Sequence, residues 1–133
     1  MKIAKLPYAE MRTMGVSDII LIEFPAPMRV DLAIAQELVS WRIMFTENRP
    51  HYVIIDMTNI EQMDANARDF MRHPDGGLKN IRAGALLASN PVSAMLANFF
   101  VKAPKDFPAR YFYSKQDALD WLMECRSGQE RSR

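Results

Sequence analysis

This chain is poor in the residues that most often carry catalysis or covalent staples. It has one cysteine, Cys125, and two histidines, His51 and His73, in 133 residues. A single cysteine excludes an intrachain disulfide and fits a reducing, cytoplasmic setting. No second histidine or cysteine stands at metal-ligand spacing, so both histidines read as surface residues and no metal or other cofactor is expected. Glycine is scarce, with five in all. The chain lacks a phosphate-cradling glycine loop, a nucleophile elbow and a Cys-x-x-Cys pair, which argues against an enzyme. The formal net charge of +1 gives no general attraction for nucleic acid. No apolar run approaches the length of a membrane span. Residues Met1 to Pro7 lack the apolar core of a signal peptide, again pointing to the cytoplasm.

What is present is an ordinary globular composition, 49% hydrophobic and 25% charged. A chain of this length buries about two-thirds of its unfolded surface on folding as one domain. Residues 1–126 read as that domain, and residues 127–133, with Arg131 and Arg133 after Glu130, as a flexible tail. Tyr8 to Thr13 is a poor strand, residues 15–18 a turn, and Ile19 to Phe24 a continuous apolar strand, which together suggest a β-hairpin. Pro25 and Pro27 end the second strand. Asp31 is placed to cap a helix to about Glu47, with Ile34, Leu38, Trp41 and Phe45 on its buried face. Tyr52 to Ile55 is an apolar strand closed by Asp56. Asp64 is placed to cap a short helix with Ala67, Phe70 and Met71 inward. Ala83 to Ser89 is a strand, and Asn90-Pro91 opens a helix whose apolar positions are Val92, Met95, Leu96, Phe99 and Phe100. Ala109 to Tyr113 is a last strand. Ser114 and Asp117 then start a helix with Ala118, Trp121, Leu122 and Cys125 inward. The order β-β-α-β-α-β-α-β-α predicts an α/β fold. Its sheet would be mixed, five-stranded and mainly parallel, with about four helices.

Three marks in the last third carry a family resemblance: Asn98 to Phe100, the Tyr111-Phe112-Tyr113-Ser114 run, and Ala118 to Leu122 with its Trp121-Leu122 ending. They resemble the SpoIIAA-like branch of the STAS domains, whose fold is related to that of CRAL-TRIO lipid-binding domains. That resemblance implies a bacterial regulatory module. In anti-sigma factor antagonists of this branch, a serine at a helix start is phosphorylated by a partner kinase. The matching positions here are Asp64, Ala65, Asn66 and Ala67, so the acceptor hydroxyl is absent. Thr58, upstream in the loop, is a weak substitute, because threonine is an ordinary turn residue.

The candidate binding surface is the loop and helix starts around Asp56, Thr58, Asp64, Asn66 and Asn90, with the apolar Met95, Phe99 and Phe100 beside them. In open α/β sheets, ligands bind beyond the carboxyl ends of the strands, where this loop lies. A carboxylate pair such as Asp56 and Asp64 could hold a cation or move a proton. The plainer reading is that one orders a turn and the other caps a helix. The expected function is a non-catalytic binding or regulatory module with a protein partner. The alternative is a carrier or sensor of a fatty acid or other small apolar ligand, or a membrane-associating variant of the fold. A symmetric homodimer and peripheral membrane contact are further options.

Overall fold

Long apolar runs buried on both faces organise the molecule. The computed structural model describes residues 1–131. Strands β1 (Ile3–Lys5), β2 (Glu10–Met14) and β3 (Val16–Glu23) form an antiparallel meander. Gly15, at a φ of 78°, makes the bend between β2 and β3, a backbone region that glycine enters without steric cost. Strand β4 (Met28–Val30) leads to helix α1 (Leu32–Phe45). Strands β5 (His51–Asp56) and β6 (Ile60–Met63), helix α2 (Ala65–Met71) and strand β7 (Ile81–Leu87) follow. Helix α3 (Pro91–Lys102), strand β8 (Ala109–Phe112) and helix α4 (Lys115–Arg131) complete the order. The main sheet runs β1-β2-β3-β5-β7-β8, with β3, β5, β7 and β8 parallel. Strands β4 and β6 pair in parallel as a separate two-stranded sheet.

Successive residues of the central strands point to opposite faces. Ile20, Ile22, Val53 and Leu86 pack with Ala35 and Leu38 of α1, Ala67 of α2 and Leu96 of α3. Ile19, Leu21, Tyr52, Ile54, Ala83 and Ala85 pack with Ala118 and Leu122 of α4. Three helices therefore cover one face and one covers the other, which is why the strands lack polar alternation.

The structure adjusts several expectations. The main sheet has six strands, because Ile3–Lys5 adds an edge to the hairpin. Residues 16–18 belong to β3, so the turn before it shrinks to Gly15. Helix α4 runs through residues 127–131, where a tail was expected, and residues 132–133 lie outside the described residues. Its last turns are anchored: Arg126 Nε donates to Asp18 at 2.9 Å, and Gln129 accepts from the Tyr52 hydroxyl and donates to the Arg82 carbonyl. Cys125 packs beside the α4 core, and burial pushes its thiol above the usual range. No helix among the described residues is long and apolar enough to cross a membrane.

The buried face of α1 is rotated from the expected one. Trp41 is exposed, and Arg42, only 3% exposed, takes the inward position. Arg42 Nη1 donates to His51 Nε2 at 2.7 Å and to the Lys79 carbonyl at 2.8 Å, and its Nη2 donates to the Gly77 carbonyl at 3.1 Å. His51, read as a surface residue, is 1% exposed. An arginine has donors only, so Nε2 must accept, and the Nδ1–H then donates to the Arg49 carbonyl at 2.9 Å. That tautomer is neutral. Burial, with Arg42 beside it, brings the His51 pKa down to about 4, against the smaller opposing effects of the Arg49 carbonyl and Asp18.

Two outcomes follow. Replacing Arg42 with Ala strands buried acceptors on His51, Lys79 and Gly77 and should cost about 3 kcal/mol or more, read from a urea midpoint; an unchanged midpoint refutes the network. The unfolded chain protonates His51 near pH 6.5, whereas the fold holds it neutral down to about 4. Stability should therefore fall as pH drops from 6.5 to 4, by about 3 kcal/mol from this group, and level off below. NMR of the folded protein tests the sign directly: a His51 ring that titrates near 6.5 contradicts the assigned tautomer.

Candidate functional site

The carboxyl ends of β5 and β7 meet in a hydrogen-bonded loop cluster. The Met57 N–H donates to the Leu87 carbonyl at 2.8 Å and ties the two strand ends together. Asp56 Oδ1 accepts from the Thr58 N–H at 3.0 Å. The Ser89 hydroxyl donates to Thr58 Oγ1 at 3.1 Å, and Asn90 Nδ2 donates to the Thr58 carbonyl at 2.9 Å. Thr58 is thus a structural joint between the two loops.

The start of α3 is a reciprocal cap. Asn90 Oδ1 accepts from the Ser93 N–H at 2.9 Å, and Ser93 Oγ accepts from the Asn90 and Ser89 N–H groups, each at 3.2 Å. Ser93 is fully buried. Its short side chain replaces the longer Glu or Gln usual in a capping box. At α2, Asp64 Oδ1 accepts from the Ala67 N–H at 2.9 Å. Each of the two aspartates therefore spends an oxygen on a nearby backbone donor, as the plainer reading expected. Strand β6 intervenes between β5 and α2, so the helix entrance is fed by β6 and not directly by β5. Ala65 and Asn66 are exposed there and Ala67 is buried. Residues 64–67, which form that entrance, carry no hydroxyl. Among the described residues, no three His, Cys, Asp or Glu side chains converge as a metal site.

The apolar candidates part company. Met95 is 66% exposed on the outer face of α3, with Val92 at 42%. Phe99 lies against α2, its ring centroid 5.8 Å from the Arg68 guanidinium and 5.4 Å from that of Arg72. It meets Phe100 edge-on at 5.1 Å. Of the three, only Phe100 reaches an interior space. That space is a cavity of about 90 Å³ between the sheet and the helices that cover its α1 side. Val53, Leu86, Met71 and Phe107 are among its walls. Arg42 and Lys105 are its only charged lining residues. The Lys105 ammonium donates to the Val101 carbonyl at 2.9 Å and to the Ala103 carbonyl, and burial holds its pKa below the usual range.

Sequence reasoning missed Arg42, Lys105 and Phe107 as lining residues. Arg42 sits four residues after Leu38 and three before Phe45, a spacing that marks the inward face, but its charge argued for solvent. Lys105 and Phe107 lie in the proline-bounded connection between α3 and β8, which carries no periodicity to read. Gly77 lines the cavity, and Gly76 precedes it in the same tight loop. A Cβ on Gly76 would stand 2.4 Å from the Phe70 carbonyl oxygen, and one on Gly77 would stand 2.0 Å from that of Met71. Only glycine lets this loop fold back onto the end of α2 and present the Gly77 carbonyl to Arg42.

Comparison with known proteins agrees with this architecture. The model of a family described as Domain of unknown function (DUF7793) matches residues 14–126. No curated protein matches the chain. A crystal structure from Shewanella loihica PV-4, described as an uncharacterized protein from the DUF3478 family with a SpoIIAA-like fold, is similar. It shares 16% identity at a TM-score of 0.62, over 90% of this chain and 97% of that one. The fold is SpoIIAA-like, as the marks in the last third implied.

The cap at α3 makes a direct prediction. Ser93→Ala leaves the Ser89 and Asn90 N–H groups without their acceptor, and should lower stability by about 1–2 kcal/mol. Amide exchange at residues 89 and 90 should quicken with it. Unchanged protection there would show that the hydroxyl is not what holds the loop.

Proposed function

The chain belongs to the DUF7793 family, and from that premise we propose that it is a non-catalytic binding module that passes its signal by contact. The exposed pair Val92 and Met95 carries this reading. They stand on the first turns of α3, directly after a loop cluster whose polar groups are engaged with one another. A rigid polar rim beside exposed apolar side chains suits a protein partner. The partner surface extends from Asn66 at the start of α2 to Met95 on α3. Nothing in it requires a modification: Ala65, Asn66 and Ala67 offer no hydroxyl for phosphate, and the Thr58 hydroxyl accepts from Ser89. At the α2 start, the position that matches the switch of the resembling branch, a doubly charged group has no hydroxyl to attach to.

Carriage of an apolar ligand by Met95, Phe99 and Phe100 together fits less well. Met95 faces outward and Phe99 packs under two arginines, which leaves Phe100 alone at the cavity.

A photo-reactive amino acid at position 95, in the native host, tests the contact reading. The expected result is one cross-linked protein, lost on Val92→Asp while the thermal midpoint stays within a few degrees of the parent. Cross-linking no greater than at exposed Tyr113 would overturn it. Mass spectrometry of the same material should find residues 56–67 unmodified, and stoichiometric phosphate on Thr58 would overturn it equally.

A further inference from the structure

The cavity between sheet and helices has no part in that surface reading, and its chemistry is unbalanced. Its walls are apolar apart from Arg42 and Lys105, both cationic, and no carboxylate lines it. Arg42 is fixed in place by His51 and the Lys79 and Gly77 carbonyls, contributed by β5 and by the loop before β7. Lys105 is held only by its own connection. An ammonium has three donors, and two are spent on the Val101 and Ala103 carbonyls at the end of α3. Among the described residues it makes no ion pair. A partly buried cation without a counter-charge, on the wall of an apolar space, matches an anion with an apolar body.

We propose that this cavity is a binding site for a small apolar monocarboxylate, with the alkyl end against Val53, Leu86 and Phe100 and the carboxylate on Lys105 Nζ. Volume limits the chain. An apolar cavity of about 150 Å³ holds benzene, so one of about 90 Å³ holds an alkyl segment of about three or four carbons. With the head group at Lys105, that points to acids of about four to six carbons and excludes long-chain lipid. Loops form the sides that would admit the ligand: Gly77 and Leu78 from the α2–β7 connection, Lys105 and Phe107 from the α3–β8 connection. Loops can move without breaking the sheet.

Titration of the full chain with butyrate, hexanoate, octanoate and palmitate, followed by amide NMR, tests this. Hexanoate or butyrate should bind best and shift Gly77, Gly84 and Phe107. Hexanol, with the same tail and no charge, should bind at least about tenfold more weakly. Lys105→Met should bind hexanoate no better than hexanol, while Lys105→Arg keeps the preference and controls for the carbonyl contacts at the end of α3. Gly84→Ala provides a second variant. A Cβ there meets the Phe107 ring at 3.7 Å and Val53 at 3.9 Å, ordinary contact distances, so the fold accepts it. Its methyl group should move the best-binding chain down by about one carbon. The proposal is overturned by the absence of shifts from any acid, by equal affinity of Lys105→Met and the parent, or by palmitate binding as tightly as hexanoate. None of these outcomes bears on the α3 surface, which the cross-linking experiment tests separately.

Discussion

Arg42 sits where three parts of the chain that are distant in sequence must agree. It comes from α1, its ring partner His51 begins β5, and its carbonyl partners Lys79 and Gly77 belong to the loop that leads into β7. A buried guanidinium is costly unless its donors are satisfied, and here neutral acceptors do that work. The arrangement is directional. A carboxylate partner would attract from many angles, whereas a ring nitrogen and two carbonyls accept along fixed lines. The position of α1 over the sheet is therefore coupled to the path of the Gly76–Gly77 turn and to the protonation state of one histidine. The Arg49 carbonyl completes the chain by holding the opposite ring nitrogen.

The same node shapes the internal space. Arg42, Gly77 and Leu78 form one side of the cavity, and the sheet floor and the loop bearing Lys105 and Phe107 form others. Protein interiors are ordinarily packed without voids of this size. Gly84, on the floor strand, contributes no side chain to fill it.

Legibility in the sequence varied with length and period. The central strands were readable because each strand of six to eight residues holds a continuous apolar run bounded by turns, which has few alternative readings. The caps at Asp31, Asp64 and Asn90 were readable because each cap is a local event, set by one oxygen and a donor three residues on. Strands β1 and β4, at three residues each, are too short to show alternation. Strand β6 has two exposed residues between Ile60 and Met63, which matches no strand period. Trp41 and Arg42 exchanged their expected places because hydrophobicity ranks side chains one at a time, while burial here was decided by a partner nine residues away in β5. Of the candidate residues, Asp56, Thr58 and Asn90 stand at the carboxyl ends of β5 and β7. The cavity was out of reach, since it depends on two connections brought together by the parallel crossovers.

The margins of the main sheet are short: β1 has three residues at one border and β8 has four at the other. An incoming chain that sought to lengthen the ladder would find few free donors and acceptors before the strand ended. Exposed edges of long strands invite aggregation and swapping, and brevity is one of the protections that natural sheets use. This molecule is thereby steered away from joining others by backbone pairing, and recognition falls to its side chains.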